Sequence, residues 1–364
     1  MAEINYKEIN IAKEIPLLMK LRLNKLLNKR IKDNGKVLVI NTCLIGEFLA
    51  TLPALMLFIK RNKLKADIIV SPPTKPIAEK IKGINKVFIA KSIYNRNTEQ
   101  ANENKFIPKE YGSILILRIS PDSYNLFKNI KYSRLMIYDV VFFKYFFHVI
   151  KNILLKRAVK QWREINFEII GMGEPSKKIK FEDIFNFNKS DYEQIKHLPE
   201  MQGNEEKVLI HTGSGWSAKL WDNDKWAELL KKLNKLGKYR FIFVGGTDAE
   251  KKSFKQIQKN VDFKIFSLIK KVDLKTLLLI MRKSNYFIGI DSGPRNMAHL
   301  ADLRSISLFG PGLKDFMPYD RRDIVIDKSN YRGTKIFDYS KKTAMQKIEV
   351  KEVFDAFKKL SKFF

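Results

Sequence analysis

The sequence predicts an α/β protein of two domains, each built on a parallel, doubly wound sheet. Short apolar runs alternate with helical or polar stretches, and the second half of the chain repeats the pattern of the first. Strands buried on both faces have continuous apolar runs, and strand–helix alternation is typical of parallel sheets. The length of 364 residues suits two domains of ordinary size. The predicted strands are 37–40, 67–70, 87–90, 114–118, 208–210, 241–244, 287–290 and 305–309.

Composition changes divide the chain further. Residues 1–35 form a basic extension, in which 9–31 mix leucines with lysines and arginines as in an amphipathic surface helix. Residues 171–206 lose periodicity and collect glycine, proline and asparagine, which indicates a linker. We therefore expect an extension at 1–35, a first Rossmann-like domain at 36–170, a linker at 171–206, a second Rossmann-like domain at 207–340 and a C-terminal helix at 341–364.

Charge and cysteine content bear on the partners and the cellular compartment of the protein. The net charge of +30 favours anionic partners, although lysine-rich composition spread along the chain is an equally open explanation. The single cysteine, Cys43, permits no intramolecular disulfide, which fits a reducing compartment. Charged residues interrupt each apolar run near the N-terminus, so export is not expected. We expect a cytoplasmic protein with a peripheral membrane contact through residues 9–31; the alternative is that this helix packs on the surface of the protein itself.

The first chemical motif follows the strand 37–40 and runs from Asn41 to Glu47. Ligands of open α/β sheets bind where strands end. Gly46 allows a tight turn there, and the carboxylate of Glu47 stands at a helix start, where it suits a general base. The alternative is that Glu47 only favours the helix N-terminus.

The second motif, 211–221, follows the strand 208–210. Small residues let backbone N–H groups approach an anion, Thr212 and Ser214 offer hydroxyl donors, and Lys219 offers a point charge for a diphosphate. The order of residues differs from that of a nucleotide triphosphate-binding P-loop. His211, taken alone, is more typical of a structural histidine than of a catalytic one.

The third motif is 291–299, directly after the strand 287–290. Ser292 can cap a helix, Pro294 suits its first turn, and the exposed N–H groups make an anion site. Asp291 would accept hydrogen bonds from sugar hydroxyls, or it is an ordinary turn residue. A further strand-end pair of glycines, at 245–246, precedes Glu250 as in ribose-binding loops.

In this order, these motifs resemble glycosyltransferase family 9, the ADP-heptose:lipopolysaccharide heptosyltransferases, over about 36–318. The family element G-D-x-x-x-x-L-P resembles 46–53, and H-P-G-x-x-x-x-x-K-x-W resembles 211–221. The elements D-T-G-P-x-H and F-G-P resemble 291–296 and 309–311. The resemblance implies a GT-B fold, with two Rossmann-like doubly wound domains facing a central cleft.

The resemblance also implies a function: inverting, metal-independent transfer of a sugar, most simply heptose from ADP-heptose, to a lipopolysaccharide or lipooligosaccharide inner-core acceptor. No cofactor or metal is implied. Glu47 would be the base, with Lys219 the catalytic cation. The donor-binding residues implied are Thr212, Gly213, Ser214, Lys219, Glu250 for the ribose, Val272 near the adenine, Asp291, Ser292, Gly293, Pro294 and Asn296.

Three departures from the family pattern bear on these expectations. Glutamate replaces the family's aspartate at Glu47, Asn296 replaces its histidine, and the extension 1–35 lies outside the usual pattern. Asn296 leaves the identity of the donor sugar open. Two rival functions also stay open. The first is a dinucleotide-dependent dehydrogenase, but this sequence has no G-x-G-x-x-G motif after any predicted strand. A non-catalytic protein that holds a polyanion or glycolipid would explain the charge, and specific nucleic-acid binding is not expected.

Overall fold

The computed structural model describes residues 32–90, 107–117, 123–137, 162–175, 177–311, 320–329 and 343–362. The chain divides into two compact units between Asn186 and Phe187. We call these the N-terminal unit and the C-terminal unit. The division falls inside the segment 171–206 that the sequence predicts as a linker.

The N-terminal unit is an alternation of strands and helices around one sheet. Buried apolar runs such as Val37–Asn41 form its strands because both sheet faces are covered. Its elements are β1 Val37–Asn41, α1 Ile45–Asn62, β2 Ala66–Val70, α2 Lys75–Ala78, β3 Ile84–Ile89, β4 Glu110–Ile116, α3 Ser123–Phe127, β5 Lys131–Met136, α4 Trp162–Ile169 and α5 Phe181–Ile184.

The C-terminal unit repeats this construction with longer helices. Its elements are α6 Lys189–Lys196, β6 Glu206–His211, α7 Asn223–Asn234, β7 Tyr239–Phe243, α8 Asp248–Lys259, β8 Phe266–Ser267, α9 Leu274–Arg282, β9 Tyr286–Ile290, α10 Gly293–Leu300, β10 Arg304–Phe309, β11 Asp323–Asp327, α11 Thr343–Gln346 and α12 Val350–Lys362.

Both sheets have the strand order of a Rossmann fold. Among the described residues, the N-terminal sheet runs β3-β2-β1-β4-β5 and the C-terminal sheet β11-β10-β9-β6-β7-β8. All pairings between these strands are parallel. In each sheet the order reverses beside the first strand, between β1 and β4 and between β6 and β9. Such a switch point opens a crevice at the carboxyl ends of the strands, where ligands bind. The predicted α/β fold with doubly wound parallel sheets is confirmed.

The core of the C-terminal unit is closed by its last helix. Phe357 of α12 is fully buried, and its ring lies 5.1 Å from that of Tyr239 and 4.9 Å from that of Tyr286. Since loss of a buried phenylalanine side chain costs about 3–5 kcal/mol, α12 is an integral part of this unit.

Edge strands and the middle of the chain differ from the sequence prediction. β5, β8 and β11 were not predicted, because their strands are short or carry exposed charges such as Lys131 and Arg134. The segment 171–206 holds α5 and α6 rather than structureless chain. Asn188 begins α6 with a capping box, in which its side chain accepts from the backbone N–H of Asp191 and the Asp191 carboxylate accepts from that of Asn188.

The sequence also predicts a membrane contact near the N-terminus. The predicted amphipathic helix at 9–31 lies outside the described residues. Within those residues, no helix combines the length and apolar character needed to cross a bilayer.

Candidate active site

The predicted phosphate motifs meet at the switch point of the C-terminal sheet. β6 and β9 are neighbours, and His211 pairs with Gly289 in their register. The loop after β6 carries Thr212 to Lys219, and the loop after β9 leads directly into α10. Side chains that are distant in the sequence therefore share one sheet edge, because parallel strands end on the same side.

Lys219 and Asp291 form an ion pair across these two loops. The Lys219 Nζ lies 2.5 Å from the Asp291 Oδ2, and the two side chains are 15% and 8% exposed. The same ammonium lies 4.4 Å from the ring centroid of Trp216. An ammonium has three protons, so the bond to Asp291 leaves two that can be directed to an anion. The pair places a cation at the switch point and also a carboxylate that opposes an anion there.

A second buried pair joins the ends of three strands. The His211 Nε2 lies 2.8 Å from the Glu250 Oε1, and its Nδ1 lies 3.0 Å from the Ser292 Oγ. The Ser292 hydroxyl also lies 3.0 Å from the carbonyl oxygen of Ile290. His211 and Glu250 are 4% and 6% exposed. These side chains therefore link the end of β6 to the first turn of α8 and to the residue before α10.

Glu250 is held by more than His211. Its Oε2 accepts from the backbone N–H groups of Gly246 and Thr247, at 2.8 and 2.7 Å, and from the Thr247 hydroxyl at 2.7 Å. Thr247 and Glu250 form the capping box of α8. Burial raises the pKa of Glu250, but the hydrogen bond and charge of His211, with the bonds from Thr247, hold that pKa below its usual value. The carboxylate is thus ionised and fixed in orientation.

Two glycines make room for this carboxylate. A Cβ atom on Gly213 would overlap the Glu250 carboxylate, and one on Gly245 would lie 2.6–2.7 Å from its carboxyl atoms. Atoms at these distances clash, so a side chain at either position would displace Glu250. The close approach of Glu250 therefore explains the glycines of both loops, and the role of Gly213 in donor binding stays a prediction.

The start of α10 corrects one detail of the prediction. Ser292 occupies the N-cap position, but its hydroxyl makes no capping bond and instead contacts His211 and Ile290. The expected side-chain cap is wrong, because the Ser292 hydroxyl is hydrogen-bonded to His211 and to the carbonyl oxygen of Ile290 at the end of β9. Pro294 lies in the first turn, as predicted, after Gly293. The first turn of a helix presents backbone N–H groups that favour an anion.

The remaining predicted donor residues have different surroundings. Thr212 is buried, and the half-buried Ser214 accepts a hydrogen bond from the backbone N–H of Trp216 at 3.1 Å. Val272 is half-buried in the turn between β8 and α9. Asn296 is 1% exposed, and its side-chain oxygen lies 3.4 Å from Nη1 of the fully buried Arg295. Its role as a donor ligand stays a prediction.

Glu47 lies in the first turn of α1, in the N-terminal unit. Residues 42–44 connect β1 to this helix, which begins at Ile45. Gly46 is inside the helix rather than at the tight turn that the sequence suggested. The connection is held by Asn41, whose Nδ2 donates to the Thr51 Oγ1 at 2.7 Å. Glu47 is half-buried beside the switch point of its own sheet. Its role as a base stays a prediction.

One group of possible metal ligands occurs among the described residues: His299, Asp320 and Asp323. The Asp323 carboxylate already accepts from His299 at 2.8 Å and from Ser305 at 2.5 Å, and Arg295 lies 4.0 Å away. The buried positive charge of Arg295 beside the Asp323 carboxylate disfavours a metal cation at the same place. The cluster is therefore best explained as an ion-pair network under α10.

Three contributors to the site were missed in the sequence. His211 was treated as structural, and Thr247 and Trp216 were given no role. The T-x-x-E pattern from Thr247 to Glu250 is a capping-box signature that predicts the orientation of Glu250. No sequence pattern signals the position of the Trp216 ring beneath Lys219.

Solved structures show what class of protein this fold defines. The glycosyl transferase family 9 structure from Veillonella parvula matches with a TM-score of 0.67 at 15% identity, covering 90% of this chain and 97% of that one. The E. coli heptosyltransferase WaaC with ADP matches with a TM-score of 0.67 at 16% identity, covering 89% and 99%. The fold is therefore the GT-B class, made of two Rossmann-like domains.

Sequence comparisons identify the family. The family model for glycosyltransferase family 9 (heptosyltransferase) matches residues 131–348, more than half of the chain. The lipopolysaccharide heptosyltransferase 1 of Campylobacter coli is 25% identical over 169 residues, which are 44% of this chain and 48% of that protein. The lipooligosaccharide heptosyltransferase 2 of Campylobacter jejuni is 29% identical over 113 residues, 30% of this chain and 35% of that protein. The matched segments span at most about half the length of these relatives. The chain belongs to glycosyltransferase family 9.

Proposed function

We propose that the protein is an inverting glycosyltransferase that moves heptose from ADP-heptose to an inner-core acceptor of lipopolysaccharide or lipooligosaccharide. The observation that carries this proposal is the Lys219–Asp291 pair at the switch point, next to the start of α10. A cation and helix N–H groups at one sheet edge suit a diphosphate. Family membership supports sugar transfer.

The relatives support the nature of the donor and the acceptor. WaaC has been solved with ADP and with ADP-2-deoxy-2-fluoro heptose, and the curated relatives are named for lipopolysaccharide and lipooligosaccharide. The net charge of +30 suits an anionic glycolipid acceptor. In this proposal ribose contacts Glu250, adenine lies near Val272, and the sugar hydroxyls contact Asp291.

The reaction is a single displacement at the anomeric carbon. The acceptor oxygen forms a bond to that carbon as the bond from the carbon to the diphosphate oxygen breaks. The acceptor proton passes to the Glu47 carboxylate, and the diphosphate leaves with the bonding electrons. A positioned general base contributes about 10²- to 10⁴-fold to the rate.

Charge that grows on the leaving diphosphate is met by groups of the C-terminal unit. Lys219 supplies a positive charge, Ser214 a hydroxyl, and the first turn of α10 backbone N–H groups. Preorganised donors of this kind are worth several kcal/mol when aimed at developing charge. We therefore propose that turnover does not require a divalent metal, and that it persists in the presence of a chelator.

The membrane contact of the protein belongs to this proposal as well. The acceptor is lipid-anchored, and residues 9–31 combine apolar and basic side chains. Deletion of residues 1–31 should weaken sedimentation with anionic vesicles, with neutral vesicles as the control. Equal binding of both forms to anionic vesicles would contradict the membrane contact and leave the transfer reaction unaffected.

The decisive experiment is Glu47→Gln. The amide keeps the shape of the side chain and cannot accept the acceptor proton, so transfer should fall about 10²-fold or more. ADP binding and melting temperature should change little, because a helix-start carboxylate is worth only about 0.3–1 kcal/mol. Glu79→Gln, at an exposed carboxylate directly after α2 in the same unit, is the control for loss of one negative charge.

A near-normal transfer rate in folded Glu47→Gln protein would exclude Glu47 as the base. Absence of transfer by the wild type, combined with strong salt-sensitive binding of polyanions, would favour a non-catalytic binding protein instead.

A further inference from the structure

We propose that His211 is a positioning residue that fixes the ribose-binding carboxylate relative to the diphosphate-binding helix start. This inference rests on the proposed donor site. It adds a role for a buried histidine that makes no direct contact in the reaction scheme.

The contacts of His211 join separate parts of the site. Its ring stands at the end of β6, with Glu250 of α8 on one nitrogen and Ser292 on the other, at 2.8 and 3.0 Å. Ser292 immediately precedes α10. The ring is rigid and almost fully buried, so the spacing between the Glu250 carboxylate and the start of α10 is set through one side chain.

The proton positions make this link independent of the charge on the ring. The ionised Glu250 carboxylate only accepts, so the Nε2 carries a proton. In the neutral ring the Nδ1 accepts from the Ser292 hydroxyl. In the charged ring the Nδ1 donates to the Ser292 oxygen, whose proton then turns to the Ile290 carbonyl. Both forms keep the connection between Glu250 and Ser292.

His211 also leaves the Glu250 oxygens unequally occupied. The Oε2 accepts three hydrogen bonds, from Gly246 and Thr247, while the Oε1 accepts from His211. The Oε1 has one donor against three on Oε2, so Oε1 is the oxygen that can take a further donor. The bonds to Oε2 hold the carboxylate in place without His211, so a ribose hydroxyl can still reach Oε1 when the histidine is replaced.

A fixed spacing matters for a ligand that spans both places. ADP occupies the ribose and diphosphate positions at once and so pays the translational and rotational entropy cost of binding a single time. This advantage requires that the two positions already have the spacing found in ADP. Without His211 the protein must bring them into register on binding. The consequence is weaker ADP binding with little change for adenosine or pyrophosphate, each of which occupies one position.

This consequence separates positioning from a merely structural role. A histidine that only stabilises the fold would change the melting temperature and leave the ratio of ADP to fragment affinities unchanged. The protein offers a matched control in His299, which is also buried and lies 2.8 Å from a carboxylate, that of Asp323.

The experiment measures calorimetric binding of ADP, adenosine and inorganic pyrophosphate to the full-length protein. His211→Phe keeps the ring volume and removes both hydrogen bonds, and it should weaken ADP binding about 3- to 10-fold. Adenosine and pyrophosphate should change less than about 2-fold. His211→Gln keeps a donor towards Glu250 and should recover part of the loss. His299→Phe should lower the melting temperature without changing the affinity ratio.

Ser292→Ala breaks only one half of the link and keeps the test valid if His211→Phe does not fold. It should weaken ADP selectively as well, and its effect should not add to that of His211→Phe. Unchanged ADP binding in folded His211→Phe and Ser292→Ala proteins would overturn this inference alone. So would equal losses for ADP and both fragments. Failure of the wild type to bind ADP would overturn the proposed donor site together with this inference.

Discussion

Replacing Asp291 by asparagine should tighten the binding of ADP. In the structure the Asp291 carboxylate lies 2.5 Å from the ammonium of Lys219. A phosphate oxygen in a charge-assisted bond lies about 2.8 Å from an ammonium, so the phosphate and carboxylate charges would be about 5 Å apart. Asparagine keeps the shape and one acceptor for Lys219 while it removes the opposing charge.

The size of the effect follows from Coulomb's law. Two like unit charges about 5 Å apart repel by about 0.8 kcal/mol in bulk water and by about 3 kcal/mol at an effective dielectric constant near 20. The exposed fractions of 15% and 8% place the pair between these limits. Loss of the repulsion should therefore strengthen ADP binding at least about 4-fold. Sugar transfer should slow at the same time, because Asp291 is the proposed acceptor for the sugar hydroxyls.

The assay is calorimetric titration with ADP at two salt concentrations, beside the rate of transfer from ADP-heptose. Asp355→Asn is the control for net charge, since Asp355 pairs with Lys358 on the surface of α12. Equal or weaker ADP binding in folded Asp291→Asn protein would refute the placement of the diphosphate at Lys219. A gain shared by the Asp355→Asn control would show a general charge effect instead.

Three further predictions follow from the same unit. Gly213→Ala should lower stability by about 1–3 kcal/mol, because its Cβ would displace Glu250; Gly246→Ala, with no atom within 4 Å of its Cβ, should be nearly neutral in the same denaturant titration. Trp216→Leu should weaken ADP binding about 2- to 5-fold by removing the ring face under Lys219, and unchanged calorimetric affinity would exclude that role. Burial raises the pKa of Asp323, but the hydrogen bond and charge of His299, with Arg295, hold that pKa below its usual 3.8. The ionised Asp323 therefore stabilises the fold above pH 3.8, and this contribution is lost as the pH falls through the lowered pKa. Asp323→Asn should accordingly be less stable at neutral pH, and its free energy of unfolding should depend less on pH in acid.

Local sequence was sufficient for the central strands and for the ligand-bearing edge of each sheet. β1, β6 and β9 are short apolar runs because both faces of a parallel sheet are covered, and that pattern is visible without any knowledge of partners. Each is followed directly by small or polar residues. Since parallel strands end on the same side, the motifs after β6 and β9 could be assigned to one site.

Edge strands and the middle of the chain carried weaker signals. β5 has exposed Lys131 and Arg134, as an edge strand tolerates, so its pattern resembles that of a loop. Within 171–206 the polar content concealed α6, which depends on its capping box and on contacts with α9. These elements form because neighbours complete them, and a short window of sequence does not contain those neighbours.

The sequence by itself determined the fold class, the family motifs and the edge of the sheet at which the chemistry belongs. Tertiary structure alone decided how the site residues are paired. It brought Lys219 to Asp291 across 72 positions and put Ser292 on His211 instead of on its own helix. Hydrogen bonds and ion pairs act over a few ångströms in space whatever the separation along the chain. Their partners are therefore chosen by the sheet order, which sets β6 beside β9.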